Sequence, residues 1–161
     1  MAGDVCAECG FAWDVPFDDA LAIVEAAPRW FAKAFDGAQF AVPPAGTWSA
    51  TAYLWHVVDV LRLGTERLLI LTLDPRRGIA PWDADEMARA RNYEAKSPAV
   101  GHRVLADAAR EWLEAARATP RYVSAAHPEF GTMDAHSCAV RNAHEVVHHV
   151  MDVRRQRTPS S

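Results

Sequence analysis

Apolar residues in this chain recur three and four positions apart, and that spacing leaves few folds open to it. Phe17, Leu21, Val24, Pro28, Phe31 and Phe35 form one such stripe, which lines a single face of an α-helix. The strict alternation of a half-buried strand is nearly absent, so the chain reads as all-α. Pro28 inside the first stripe predicts a kink or a local break, because it has no N–H to donate and its ring crowds the preceding turn. The segment from Asp36-Gly37 to Pro43-Pro44-Ala45-Gly46 ends this helix. Ser49, or Thr47, caps a second helix that runs to about Leu73 and is closed by Asp74-Pro75.

A turn-rich stretch from Arg76 to Pro81 leads to a shorter helical piece between Asp83 and Lys96. Ser97-Pro98 opens the next helix, with Val104, Leu105, Ala108, Trp112 and Ala116 on its apolar face and an end near Ala118. Arg121 to Gly131 reads as a loop, and Thr132 as the cap of a last helix reaching about Gln156. Four long helices with one long crossover carrying a short helix make a four-helix bundle, a fold that builds metal sites from inward side chains on facing helices. The bundle spans residues 17–157, preceded by a Cys-x-x-Cys segment at residues 1–16.

With 161 residues, half of them hydrophobic, the chain is long enough for one domain with a single core. No apolar run approaches the ~18 residues of a bilayer span, and Met1-Ala2-Gly3-Asp4 lacks the basic start of a leader, so a cytoplasmic protein is expected. Three cysteines without a secretion signal argue for reduced thiols. A formal net charge of −4 argues against a nucleic-acid footprint. The one basic cluster, Arg154, Arg155 and Arg157, stands where cations complement the last helix's dipole. Expected partners are therefore a small-molecule substrate, with neither nucleic acid nor membrane; an oligomer, if one forms, is expected to be a homodimer.

Three histidines point to chemistry. His144 and His148 are four residues apart and thus one turn apart on one helix face. His56, on the second helix, has Ala52, Val60, Leu63 and Ile70 within about 40° of it and so faces inward. His56, His144 and His148 together form the candidate divalent metal site, a three-ligand set with an open position as in catalytic rather than structural centres. Val140, Val147 and Met151 lie within about 60° of His144, whereas His149 is about 140° and Glu145 about 100° from it, which leaves the competing Glu145/His149 pair facing solvent. His149, Asp59 and Asp152 are then candidates for orienting the ligating imidazoles. Trp82, Tyr93 and Arg67 are candidate pocket residues, and Glu66 reads as a surface partner of Arg62. His102, His127 and His136 read as surface or loop residues, and Cys138 as a packed small residue.

Such an ion lowers the pKa of bound water to about 7 and deprotonates a bound thiol outright. Either hydroxide attack on an ester or amide, or thiolate attack on an electrophilic carbon, is open to it. Cys6 and Cys9 supply only two zinc ligands. A structural zinc shared with distant ligands or a second subunit, a redox dithiol and a plain tail all remain open for them.

Several motifs resemble those of the DinB/YfiT-like metalloenzyme family over most of the chain: His56-Val57-Val58-Asp59, Trp82-Asp83, His144-Glu145-Val146-Val147-His148-His149, and Cys6-Ala7-Glu8-Cys9-Gly10-Phe11 near the start. The resemblance implies an up-down-down-up bundle with zinc or nickel held by a histidine triad, which maps onto His56, His144 and His148. Related mycothiol-dependent maleylpyruvate isomerases use Glu where this chain has His144, a departure that counts against that particular reaction. The expected activity is that of a metal-dependent enzyme, a thiol-dependent S-transferase with mycothiol or a similar thiol as cosubstrate, or a related hydrolase. The alternative is a non-catalytic ligand-binding or stress-response bundle with a structural metal or an empty pocket.

Overall fold

In the computed structural model, which describes residues 4–157, four long helices account for most of the chain. Helix α1 spans Phe17–Phe35, α2 Ala50–Leu73, α3 Ala84–Ala90, α4 Pro98–Ala118 and α5 Ala135–Gln156; strands β1 (Ser124–His127) and β2 (Gly131–Asp134) form an antiparallel hairpin. The caps follow from side chains able to satisfy the free N–H groups of a first turn. Ser49 accepts from the Ala52 N–H, Asp83 from Glu86 and Ser97 from Val100.

Two expectations need correction here. α1 runs unbroken through Pro28, since Val24, Ala27 and Phe31 are fully buried around it and their packing outweighs one missing hydrogen bond. The segment taken for a loop holds the hairpin, and Thr132 pairs with Ala126 rather than capping α5. The cap is Asp134, which exchanges hydrogen bonds with Ser137 in a capping box. Two four-residue strands, Ser-Ala-Ala-His and Gly-Thr-Met-Asp, are too short to carry an alternating signal.

Terminal contacts fix the helix directions. The N-termini of α1 and α5 meet where His136 Nε2 donates to the Val15 carbonyl, and their C-termini where Arg157 reaches the Lys33 carbonyl. α2 and α4 are likewise parallel: Trp55 Nε1 donates to the Ser97 carbonyl at one end and Thr119 Oγ1 to that of Leu68 near the other. Gln156 Nε2 donates to the Trp48 carbonyl, joining the end of α5 to the start of α2. The order is up-down-down-up. α1 packs on α4 and α5, and α2 on α4 and α5, around a core that includes Phe31, Leu54, Leu61, Leu68, Leu105 and Trp112.

Parallel neighbours α2 and α4 require the chain to return the whole length of α2, about 36 Å at 1.5 Å per residue. The crossover therefore runs back along α2 instead of lying across one end of the bundle. Buried Asp59 anchors it, accepting from Tyr93 Oη at 2.5 Å and Arg91 Nη1 at 2.7 Å. Gly64 of α2 faces the buried hydrogen bond from Trp112 Nε1 to Asn142 Oδ1; an added Cβ would stand 2.6 Å from Trp112 Nε1. Among the described residues no helix is long and apolar enough to cross a membrane.

Before α1, the chain folds into a small hook. The Cys6 N–H donates to the Phe11 carbonyl and the Gly10 N–H to that of Cys6, both at 2.8 Å, and Val5 bridges to Ala12. Gly10 has φ +73°, a conformation that favours glycine. Phe11 is buried against the bundle.

Candidate metal centre

His56, on the buried side of α2, is 3% exposed, and its Nδ1 has no partner among the described residues. Its Nε2 lies 3.0 Å from Glu145 Oε2. The same oxygen is 3.1 Å from His149 Nε2, while His149 Nδ1 is 2.9 Å from Asp152 Oδ2. One nitrogen from each of His56 and His149 and one Glu145 oxygen all lie within 4.8 Å of one another.

Electrostatics binds the cluster. Burial would raise the Glu145 carboxyl, but the imidazoles of His144, His149 and His56 around it hold it well below the ordinary carboxylate range. Burial pushes His56 down, outweighing its bond to Glu145. At His149 burial also favours the neutral ring, yet the carboxylates of Asp152 and Glu145 raise its pKa.

The residues fit a divalent cation. Two imidazoles and a carboxylate are a recognised catalytic donor set, and ligands about 2.0–2.1 Å from a tetrahedral zinc stand about 3.3 Å apart. The oxygen-to-nitrogen separations of 3.0 and 3.1 Å are close to that. Asp152 on His149 Nδ1 fixes the tautomer that leaves Nε2 free to coordinate.

The expected triad is not brought together in this arrangement. His56 keeps its place, but its companions are Glu145 and His149, while His144 and His148 face Cys6 and Cys9. The buried stripe of α5 is Ala139, Ala143, Val146, Val150 and Val153. His149 lies about 60° from Val146 on the wheel and Glu145 about 100°, but His144 and His148 about 160°. The Glu145/His149 pair therefore turns toward α2 and the His144/His148 pair toward the hook, although His144 still lines the cavity beside His56 and lies 3.6 Å from Glu145 Oε1. Two signals were available in the sequence: Asp152, three residues past His149, and a Cys-x-x-Cys pair short of two ligands.

Other candidates separate by position. Trp82 stacks on His56, with ring centroids 5.5 Å apart and planes 13° apart. Tyr93 is buried beneath, on Asp59, and Asp59 holds the crossover rather than an imidazole. Arg62 faces Asp59 rather than Glu66. His127, expected at the surface, is buried in β1, where its Nδ1 accepts from the Glu129 N–H and its ring stacks on Phe130.

A cavity of about 340 Å³ opens on the cluster, walled by Trp13, Trp48, Val60, Trp82 and Phe130 and carrying Arg67 and Arg141. A second, about 600 Å³, shares Leu63, Arg67 and Trp82 in its wall and extends past Ile70, Ile79 and His127. The His56/Glu145/His149 cluster thus has an open side facing an aromatic pocket that carries two guanidinium groups.

No curated protein matches the chain by sequence. Among solved structures, it is similar to YfiT from Bacillus subtilis, described as a probable metal-dependent hydrolase with an unusual four-helix bundle topology. The two share 17% identity over 86% of each chain with a TM-score of 0.70, a likeness of fold. The family model of the DinB superfamily matches residues 20–152, a span that holds all four long helices' cores, His56, Glu145 and His149, and on that match the chain belongs to the DinB superfamily.

Proposed function

We propose that this protein is a metal-dependent enzyme that joins a low-molecular-weight thiol to an electrophilic small molecule, with the ion held by His56, Glu145 and His149. The observation that carries the reading is the pair of cavities meeting at Arg67 and Trp82 beside the cluster, room for two reactants where hydrolysis needs only one and water. A bound divalent ion supplies Lewis acidity that lowers the pKa of a thiol or water. Arg67 and Arg141 offer guanidinium groups to a carboxylate on either reactant. Trp82 and Trp48, packed against His56, keep bulk water from the reacting atoms. In the reaction the sulfur bonds to the electrophilic carbon, the leaving group departs with the electron pair of its bond to that carbon, and the thiol's proton passes through water to the leaving group.

The second reading, a hydrolase, is favoured by the two-histidine, one-glutamate donor set, which zinc peptidases use to activate water. One assay separates them. Zinc- or nickel-loaded protein is screened against electrophiles with mycothiol, bacillithiol or glutathione and, in parallel, with no thiol. Thiol-dependent product that disappears with chelator and in His56→Ala supports the transferase. Equal product without thiol supports the hydrolase. A melting temperature lowered by chelation with no turnover of either kind would make the ion structural.

A further inference from the structure

We propose that Cys6, Cys9, His144 and His148 bind a second ion, zinc, in a closed four-ligand site that fastens the N-terminal hook to the outer face of α5. One sulfur from each cysteine and one nitrogen from each histidine all lie within 4.8 Å of one another. Cys6 Sγ is 3.7 Å from His148 Nδ1; around tetrahedral zinc, with bonds of about 2.3 Å to sulfur and 2.0–2.1 Å to nitrogen, that separation is about 3.6 Å. All three cysteines are free thiols.

Both halves of the site are built for ligation. On α5 the histidines are one turn apart and share a face. On the hook, the Cys-x-x-Cys turn is closed by the Gly10 N–H on the Cys6 carbonyl. His148 Nε2 faces Glu8 and Asp152 carboxylates at 3.6 and 3.8 Å, leaving Nδ1 toward the sulfur. His144 Nε2 is buried without a partner among the described residues. Four protein ligands leave no open position, the mark of a structural centre.

The two centres share one sequence, His144-Glu145-Val146-Val147-His148-His149. Consecutive residues are about 100° apart on a helix, so the two interleaved i, i+4 pairs serve opposite neighbours. Trp13 lies on His144 with centroids 4.4 Å apart and also lines the cavity beside His56. The second ion would thereby hold one wall of that pocket. Cys6 and Cys9 fall outside the residues matched by the family model.

Metal content and cobalt spectra of the full-length reduced protein test this. Cys6→Ser/Cys9→Ser should bind one zinc per chain fewer than the unsubstituted protein, and His56→Ala should keep the ion that the double variant loses. With cobalt(II), the near-ultraviolet thiolate charge-transfer band should appear in the unsubstituted protein and in His56→Ala and be absent from Cys6→Ser/Cys9→Ser. Unchanged zinc content in the double variant, or no thiolate band in the unsubstituted protein, overturns the site. Should the variant not fold, alkylation of the unsubstituted protein decides: zinc should shield Cys6 and Cys9 and a chelator expose them, whereas equal labelling in both states refutes the proposal.

Discussion

At Glu145 one carboxylate oxygen faces His56 and His149 together, so removing its charge acts on both imidazoles at once. Glu145→Gln should strip the ion from the α2–α5 centre, seen as loss of one metal per chain. Asp152 acts at one remove, through His149 Nδ1; Asp152→Asn should weaken metal binding about 10–100-fold, the usual effect of losing a carboxylate behind a ligating imidazole, and competition with a chromophoric chelator would measure it. An unchanged affinity would show that Asp152 does not orient the ring. His56 was legible in the sequence because α2 is apolar around it. The α5 pair was not, because the buried stripe includes Ala139 and Ala143, whose small side chains carry little hydrophobic signal beside the half-buried Val147 and Met151. Nor could spacing alone choose between two i, i+4 pairs offset by one residue; the position of the buried stripe on α5 decides that.

Among the elements, helix starts were the best-written part of the sequence, since Ser49 and Ser97 each precede an apolar periodic run and cap it as read. The hairpin between α4 and α5 was illegible for want of length, and with it the true start of α5. Asp134→Ala should cost about 1 kcal/mol, typical of a lost N-cap. Burial favours the protonated form of Asp134, but the Ser137 N–H and hydroxyl hold its carboxyl below the usual range. A lowered folded-state pKa means that this contribution is complete above the unfolded value of about 3.9 and is lost as pH falls through the folded one. Urea unfolding should thus show the gap between variant and parent narrowing below about pH 4. In α2, Gly64→Ala drives a methyl group into the Trp112–Asn142 hydrogen bond; a loss of about 1–3 kcal/mol or more is expected, and a neutral result in the same assay would mean α4 and α5 can step back from α2.

Taken as a whole, the molecule is held by packing between helices, and what the two proposed ions would add can be measured separately. Chelation should lower the melting temperature, and added zinc should raise it with concentration, approaching about 4 kcal/mol of stabilisation at a thousandfold excess over Kd. A melting temperature indifferent to both would mean that no ion belongs to the folded state. The partners of these centres come from opposite ends of the chain: His56 meets Glu145 and His149, and Cys6 meets His148 across 142 positions. Because synthesis proceeds from the N-terminus, every ligand on the hook and on α2 leaves the ribosome well before α5 exists. Neither proposed ion could be captured by its full ligand set until the last helix has emerged and docked, so metal uptake would be timed to the completion of the chain, and a nascent protein stalled short of residue 144 would be unable to complete either centre.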